Sequence, residues 1–296
     1  MTGISSPTTM NKRYIGRFAP SPSGSLHIGS MTSAFVSYFE AKHNNGLWKL
    51  RIDDIDEERS KKNYAEEIII TLEKFALIPD EIYFQSEHIK DYQNYLNELS
   101  EKDTYFCDCS RKTLQQLPQG LAGSIYNQTC LEKNLKYGAM RLKADEMKLD
   151  FYDQHYGLIK IPSSHKSDFI IKRKEGFSYI FCCVIDDYLQ KITHVVRGSD
   201  LTYSTPQQIF IQKKLGIISP KYMHHPIFSL NGKKISKSDQ GEPVIHENRF
   251  EILMQILKSL HQNIPKNIRN YNDLLTQALT FWDNSKVSKS FDIAMD

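Results

Sequence analysis

Two short segments place phosphate-binding chemistry at widely separated points of the chain. The first, Ser23-Gly-Ser-Leu-His-Ile-Gly-Ser30, lies between an apolar run and a helical pattern. A helix start leaves backbone N–H groups unpaired, and the helix dipole adds partial positive charge, so phosphate binds there readily. Gly24 and Gly29 let a ligand approach the backbone, and His27 is placed to donate to a phosphate oxygen. The second, Asn231-Gly-Lys-Lys-Ile-Ser-Lys-Ser238, gathers three lysines, two serines and a glycine into a cationic loop suited to a triphosphate. Taken alone, the first is more often a capped helix start and the second a solvated basic turn. A third group is Cys107, Cys109 and Cys130. Three thiols within 24 residues suit a tetrahedral zinc ion, although their spacing is not the common C-x₂-C pair.

The elements that must position these groups alternate in type. Tyr14–Ala19 reads as a short buried strand, stopped by Pro20-Ser-Pro-Ser-Gly24. From His27 to about Lys42, Ile28, Met31, Phe35, Tyr38 and Phe39 recur at helical spacing, and Asn44-Asn45-Gly46 ends that helix. Leu47–Ile52 is a second strand. One helix follows with Tyr64, Ile68, Leu72 and Phe75 on a face, and another after Ser86 with Ile89, Tyr92, Leu96 and Leu99. This alternation predicts an α/β fold with a parallel sheet. The rhythm breaks between residues 105 and 167, where cysteines, the glycine-containing segment 119–123 and strand-like pieces such as Ala139–Leu142 suggest an inserted subdomain. It returns with predicted strands Phe169–Lys172, Tyr179–Val184 and Thr193–Arg197, a helix from about Pro206 and a last strand Tyr222–Leu230. Cys182 and Cys183 fall in the second of these, facing opposite sides, with no chemistry assigned. Asn231-Gly232 reads as a tight turn, and helices near Phe250–Leu260 and Asp273–Trp282 close the chain.

Composition narrows the class. Of 296 residues, 40% are apolar and 25% charged, which argues against wholesale disorder. No stretch approaches the ~18 uncharged apolar residues of a membrane span. Residues 1–12 are small and polar, read as a flexible tail without the apolar core of a secretory signal. Lys and Arg exceed Asp and Glu by only three, which permits a polyanion partner without demanding one. Five cysteines in a chain of this length fit reduced thiols or a metal site better than a disulfide scaffold. A cytoplasmic protein with no membrane or DNA partner is expected.

Together the two phosphate segments carry a resemblance. His27-Ile-Gly-Ser30 resembles the HIGH motif, and Lys234-Ile-Ser-Lys-Ser238 the KMSKS motif, of class I aminoacyl-tRNA synthetases. Nucleotidylyltransferases share the first motif but typically carry a serine-rich loop with one arginine in place of the second. The glutamate branch is matched in linear order by Arg17-Phe-Ala-Pro-Ser-Pro-Ser-Gly24, Leu50-Arg-Ile-Asp-Asp-Ile-Asp56, Tyr179, Val184-Ile-Asp-Asp187 and Val196-Arg-Gly-Ser-Asp-Leu201. The resemblance implies a Rossmann-like catalytic core over residues 13–104 and 168–240, a zinc-binding insertion at 105–167 and a helical C-terminal region at 241–296.

The same resemblance implies site residues. Glutamate, with two carboxylates and one ammonium, requires cationic clamps and an acidic partner. Arg17, Phe18, Ala19, Pro20, Ser21, Asp53, Tyr179 and Arg197 are the implied glutamate site, the two arginines as clamps and Asp53 as the ammonium partner. Read singly, Arg17 could reach solvent, Asp53 could sit in a solvated turn and Tyr179 could be core. The family usually carries Glu where this chain has Asp53, so a direct contact needs a bridging water or a shifted backbone. Ser25, His27, Gly29, Lys234, Ser236, Lys237 and Ser238 are the implied ATP site, with Mg²⁺ accompanying ATP and with His27 and Lys237 stabilising the transition state.

Only 58 residues follow Ser238, too few for a large anticodon-binding region. The chain therefore resembles the glutamyl-queuosine tRNA(Asp) synthetases, a shortened branch of the glutamyl-tRNA synthetases. In that branch Cys107, Cys109, Tyr126 and Cys130 match the zinc pattern. His155 or His165 is an alternative fourth ligand, since phenolate must lose a proton of pKa about 10. The implied reaction activates L-glutamate with ATP and transfers it to the queuosine of tRNA(Asp). The rivals are a minimal glutamyl-tRNA synthetase charging a tRNA 3′ end and an inactive RNA-binding paralogue. Lys172, Arg173 and Lys174 are candidate RNA contacts, a solvated strand end being the alternative. A monomer is expected on family grounds.

Overall fold

The computed structural model describes residues 13–230, 233–234, 243–264 and 266–294. The predicted tail 1–12 and the turn Asn231-Gly232 lie outside the described residues. The first half is wound as expected, in the order β1 (Ile15–Phe18), α1 (Ile28–His43), β2 (Leu47–Ile52), α2 (Lys62–Lys74), β3 (Glu81–Phe84) and α3 (Ile89–Glu98). The three strands are parallel in the order β1-β2-β3, with Arg17 opposite Lys49 and Leu50 opposite Ile82. β3 was not foreseen, because Glu81–Phe84 is short and half exposed. The turn from α1 into β2 requires glycine at 46, where a Cβ would lie 2.4 Å from the Tyr14 carbonyl oxygen.

β2 alternates strictly. Trp48, Leu50 and Ile52 are buried in the core that α1 covers, and Lys49, Arg51 and Asp53 point to the other face. That second face is also buried, at 6%, 0% and 3% exposure respectively. A strand patterned for one wet face is therefore dry on both.

The middle of the chain contributes β4 (Thr104–Cys107), α4 (Arg111–Gln115), the short hairpin β5 (Gln119–Gly120) and β6 (Gly123–Ser124), then β7 (Ala139–Leu142), β8 (Phe151–Asp153), β9 (Gly157–Ile159) and β10 (Phe169–Lys172). β4, β7 and β10 form an antiparallel sheet with β7 in the centre. β8 and β9 instead join the second parallel group. That group follows α5 (Tyr179–Leu189) and contains β11 (His194–Gly198) and, after α6 (Thr205–Lys214), β12 (Lys221–His225), in the order β11-β12-β8-β9.

β11 runs beside β1. Thr193 N–H donates to the Ile15 carbonyl at 2.9 Å, Ile15 N–H to Thr193 Oγ1 at 2.8 Å, and Arg17 Nη1 to the Val196 carbonyl at 3.3 Å. The chain thus winds outward from this pair in both directions, towards β2 and β3 on one side and β12 and β8 on the other. In such sheets ligands bind at the carboxyl ends of the central strands, where the winding reverses.

Two predicted strands need correction. Tyr179–Val184 is not a strand but the start of α5, capped by Ser178, whose hydroxyl accepts from Phe181 N–H at 3.3 Å. The apolar run has no helical stripe because α5 is buried on nearly every side, from Phe181 to Asp187. Cys182 and Cys183 therefore lie on neighbouring faces of a helix, rather than on opposite faces of a sheet. Tyr222–Leu230 is broken at Pro226 into β12 and β13 (Ile227–Leu230). β13 pairs with β14 (Lys233–Lys234) and, in parallel, with β15 (Asp292–Ala294). The C-terminal helices α7 (Arg249–Ser259) and α8 (Tyr271–Thr280) pack against the first half: Tyr271 OH donates to the Phe75 carbonyl at 2.7 Å, and Trp282 Nε1 to Glu40 Oε1 at 2.6 Å. Among the described residues no helix is long and apolar enough to cross a membrane.

Candidate active site and cysteine cluster

A cleft of about 340 Å³ opens at the carboxyl ends of β1 and β11. Arg17, Phe18, Ala19, Pro20 and Ser21 line it from β1 and the following loop, His27 and Gly29 from the start of α1, Tyr179 from the start of α5, and Arg197 from β11. Of the sequence-derived residues, Ser25 and Asp53 are not on its wall. Ser236, Lys237 and Ser238 lie outside the described residues, as does the side chain of Lys234. The described residues flanking them are well placed. Lys234 pairs with Ser229 in the β13–β14 hairpin, and beyond the segment Pro243 is bridged to His27 while Val244 N–H donates to the Leu26 carbonyl at 2.9 Å.

α1 is capped by the histidine itself. His27 Nδ1 accepts from the backbone N–H of Gly29 at 3.1 Å and of Ser30 at 3.3 Å, and Ser30 Oγ accepts from His27 N–H at 2.8 Å. This is a capping box in which imidazole replaces the usual hydroxyl or carboxylate. Because Nδ1 accepts, the neutral ring carries its proton on Nε2.

Behind the cleft lies a buried charge lattice. Arg17 Nε reaches Asp187 Oδ1 at 3.2 Å, and Arg51 Nη1 reaches the same oxygen at 2.7 Å. Arg51 Nε pairs with Asp53 Oδ1 at 2.7 Å and approaches Asp186 Oδ2 at 3.7 Å. Asp186 also accepts from Gln85 Nε2 at 2.6 Å and from Tyr92 OH at 2.7 Å. The helical period of α5 sets Cys183 and Asp187 on one face, both against Arg51. Three carboxylates thus face two guanidinium groups. Burial pushes the Asp53 carboxyl up to about 6 even against the opposing pull of Arg51, whereas the arginines outweigh burial at Asp187 and hold it below its usual range. Asp53 is committed to this lattice, with Cys183 Sγ at 3.8 Å from its second oxygen.

Arg197 is held by a separate chain. Its Nε donates to His224 Nε2 at 3.0 Å and its Nη2 to Thr205 Oγ1 at 2.8 Å. His224 Nδ1 lies 2.7 Å from Asp153 Oδ2, and that oxygen also accepts His224 backbone N–H at 3.0 Å. Guanidinium cannot accept, so His224 is neutral with its proton on Nδ1. Burial holds its pKa down to about 4, against the pull of Asp153. The remaining nitrogen of Arg197, Nη1, is buried and has no hydrogen-bond partner among the described residues. A buried charged donor left unpaired costs ~1–3 kcal/mol or more, and this one belongs to a side chain that lines the cleft.

The cysteines converge at the end of β4. The sulfurs of Cys107, Cys109 and Cys130 lie within 4.8 Å of one another, with Cys109 and Cys130 3.5 Å apart. Tyr126 OH is 3.5 Å from Cys107 Sγ and 3.6 Å from Cys109 Sγ. Four ligands around a metal at ~2.0–2.3 Å stand about 3.3–3.8 Å apart, a range that holds the contacts of 3.5, 3.5 and 3.6 Å in this cluster. Burial disfavours the Cys107 thiolate, but the neighbouring Arg141 guanidinium and Tyr126 hydroxyl outweigh it and bring its pKa down to about 7. Neither alternative histidine is in the cluster: His155 Nε2 is bonded to the Ser288 carbonyl at 2.8 Å, and His165 Nδ1 accepts from Leu121 N–H at 3.2 Å.

Sequence reasoning gave no role to Arg51, Asp153, Asp186, Asp187 or His224. The signal for Arg51 was the charged row of β2, which reads as a wet face until α5 is known to cover it.

Residues 15–249 match the family of class I tRNA synthetases (E and Q), catalytic domain. The chain is similar to a glutamyl-Q tRNA(Asp) synthetase of Vibrio parahaemolyticus, 38% identical over 95% of this chain and 96% of that one. It is similar to one of Photorhabdus laumondii at 36% identity over 96% and 91% of the two chains. The fold is similar to that of a glutamate tRNA ligase from Elizabethkingia meningosepticum solved with its amino acid, with a TM-score of 0.77 at 22% identity over 96% of this chain and 67% of that one.

Proposed function

The chain belongs to the class I tRNA synthetases (E and Q), and within them to the glutamyl-Q tRNA(Asp) synthetases, and from that membership we infer that it is a ligase that activates L-glutamate with ATP and transfers it to queuosine at the wobble position of tRNA(Asp). The observation that carries the reading to individual residues is the unpaired Nη1 of Arg197, in a cleft bounded by a helix N-terminus.

Arg197 takes one carboxylate of glutamate through Nη1, while Arg17 presents the second cationic group at the same wall. Tyr179 and the segment Phe18–Ser21 shape the pocket. The ammonium faces the lattice of three carboxylates and two arginines, whose one excess negative charge attracts it. Asp53 contributes through this field, from behind Arg51, rather than from the wall.

ATP lies with its phosphates at the N-terminus of α1, where the Gly29 and Ser30 N–H groups are already paired with His27 Nδ1, so the attraction there comes from the helix dipole and from Nε2–H of His27, which donates to the charge that grows on them. Ser25, Lys234, Ser236, Lys237 and Ser238 complete the grip, with Mg²⁺ accompanying the nucleotide. The glutamate carboxylate is already a nucleophile at neutral pH. It attacks the α-phosphorus, the bond to the β-phosphate oxygen breaks, and pyrophosphate leaves with the electron pair. No general base is needed, and catalysis rests on positioning and charge stabilisation. In the second step a hydroxyl of the queuosine cyclopentenediol attacks the activated carbonyl, loses its proton, and AMP departs.

Zinc bound by Cys107, Cys109, Cys130 and Tyr126 supplies a structural cross-link and no reaction chemistry. Arg141, stacked 3.6 Å from the Tyr126 ring centre, favours the anionic form of the cage.

The decisive experiment supplies ATP, labelled glutamate and tRNA(Asp) with or without queuosine. Label confined to the queuosine-containing tRNA is the expected result. Label on the 3′ end of tRNA(Glu) instead makes the protein a minimal glutamyl-tRNA synthetase. No glutamate-dependent ATP–pyrophosphate exchange makes it an inactive RNA-binding paralogue.

A further inference from the structure

A second concavity, about 760 Å³, lies between α3 and the β4–β7–β10 sheet, apart from the cleft. Its floor is apolar, with Leu96 and Leu99 from the α3 side and Met140 from β7. Its rim carries Lys136, Lys172, Arg173 and Lys174, against which Glu101 is the acid of the lining. Lys172 is anchored, with Nζ 2.9 Å from Gln93 Oε1 and 5.0 Å from the centre of the Phe177 ring. Arg173 and Lys174 are exposed.

Tyr137 also lines this groove and is 73% exposed, an exposure matched among the described aromatic rings by Tyr152 at 72%. Its backbone is tightly constrained. Gly138 has φ +133°, and a Cβ there would lie 2.5 Å from the Cys107 carbonyl oxygen. Gly138 is thus pressed against β4 beside the cysteine cluster, directly after the exposed Tyr137 in the lining of the groove.

The groove is also tied to the cleft. Lys172 and Phe177 are bridged across a hairpin, and the chain continues through Ser178 to Tyr179, which lines the cleft. Lys174 is five residues from Tyr179, at most about 17 Å along an extended chain.

An apolar floor, an exposed aromatic ring and a cationic rim are what unpaired nucleotides require: bases stack on the ring while phosphates meet the cations. We propose that this groove binds a single-stranded stretch of the tRNA flanking the nucleotide that enters the cleft, with one base on Tyr137 and backbone phosphates on Lys136, Arg173 and Lys174. The proposal rests on the reading that the substrate is RNA, and it names where that RNA lies. A loop is the suitable substrate, because only unpaired bases can be splayed onto a ring.

The test measures tRNA binding and glutamyl transfer for Tyr137→Ala, Tyr137→Phe and the double variant Arg173→Gln/Lys174→Gln. Tyr137→Ala raises KM for tRNA roughly tenfold, while Tyr137→Phe, which keeps the stacking face, stays close to the parent. The double variant weakens binding and reduces the slope of log K against log salt by about 1.4, the loss of two single-strand phosphate contacts. Glutamate-dependent ATP–pyrophosphate exchange, which uses none of these side chains, reports that the fold is intact. Parental tRNA affinity and salt slope in Tyr137→Ala and the double variant overturn the proposal and leave the groove to another partner, such as a protein. Absent exchange in the parent defeats the functional reading instead, while the binding arms still test the groove.

Discussion

His224 Nε2 accepts a hydrogen bond from Arg197 Nε at 3.0 Å, and the opposite ring nitrogen of the same imidazole lies 2.7 Å from Asp153 Oδ2. β8, β12 and β11 are adjacent parallel strands, and this chain of three side chains crosses all of them. With Thr205 it fixes the plane of the guanidinium, leaving Nη1 without a hydrogen-bond partner among the described residues. His224→Ala is expected to raise KM for glutamate by roughly ten- to a hundredfold, the worth of a hydrogen bond to a charged group, with a much smaller fall in kcat. His224→Gln, whose carbonyl can still accept from Arg197, recovers part of the loss. Equal losses in kcat and KM effect from both variants would assign His224 to general stability.

Asp53 makes pH a probe of the charge lattice. Its folded pKa of about 6 lies above the ordinary carboxylate value of 3.8, so between those two the folded state holds a proton that the unfolded state has released. Its contribution to stability therefore falls as pH rises from about 4 to about 6, and is level beyond. Glutamate binding runs the other way. Attraction for the ammonium grows as Asp53 ionises, so KM for glutamate falls as pH rises through about 6. Asp53→Asn is expected to flatten this limb of the profile while keeping measurable exchange. A limb unchanged in that variant would assign it to another group.

Metal removal should act on structure before chemistry. Cys130→Ser, or prolonged chelation, is expected to abolish stoichiometric zinc by elemental analysis and to lower Tm by several degrees. The KM for glutamate in ATP–pyrophosphate exchange stays within about twofold, because the cluster sits at β4, away from the lining of the cleft. A parental protein that binds no zinc after refolding with the ion would refute the cage.

β15 pairs along β13. Asp292, Ile293 and Ala294 pair with Ile227, Phe228 and Ser229 of β13, the strand that leads into β14 and on to Lys237. Ending the chain at Ser288 is expected to lower kcat for activation on the order of tenfold or more, since small displacements of positioning groups have effects of that size. KM for glutamate changes less, because Arg197 and His224 are held independently. An active truncated protein would show that β13 keeps its place without β15.

Gly46 tests the corner that places β1. A Cβ there meets the Tyr14 carbonyl at 2.4 Å and the Ala41 carbonyl at 3.0 Å, all backbone that cannot swing aside. Gly46→Ala is expected to destabilise the protein by about 1–3 kcal/mol in denaturant titrations.

The sequence by itself determined whatever depends on local pattern and linear order. The α1 helix, β2, α7 and α8 follow from apolar spacing that a helix or strand must satisfy in any context. The order of Arg17, His27, Tyr179 and Arg197 within their motifs was enough to pick out residues that line one cleft, and Cys107, Cys109 and Cys130 to pick out the thiol cluster. Only the tertiary structure decided what depends on which surfaces are covered. Tyr179–Val184 is apolar and β-branched enough to read as a strand, and burial on nearly every side makes it a helix. Arg51 and Asp53 look like the wet face of β2 until α5 closes over them and turns them into a charge lattice. His224 and Asp153 are far apart in sequence, and no local signal joins them. They become one unit with Arg197 because parallel strands set residues from distant segments side by side, within hydrogen-bond reach.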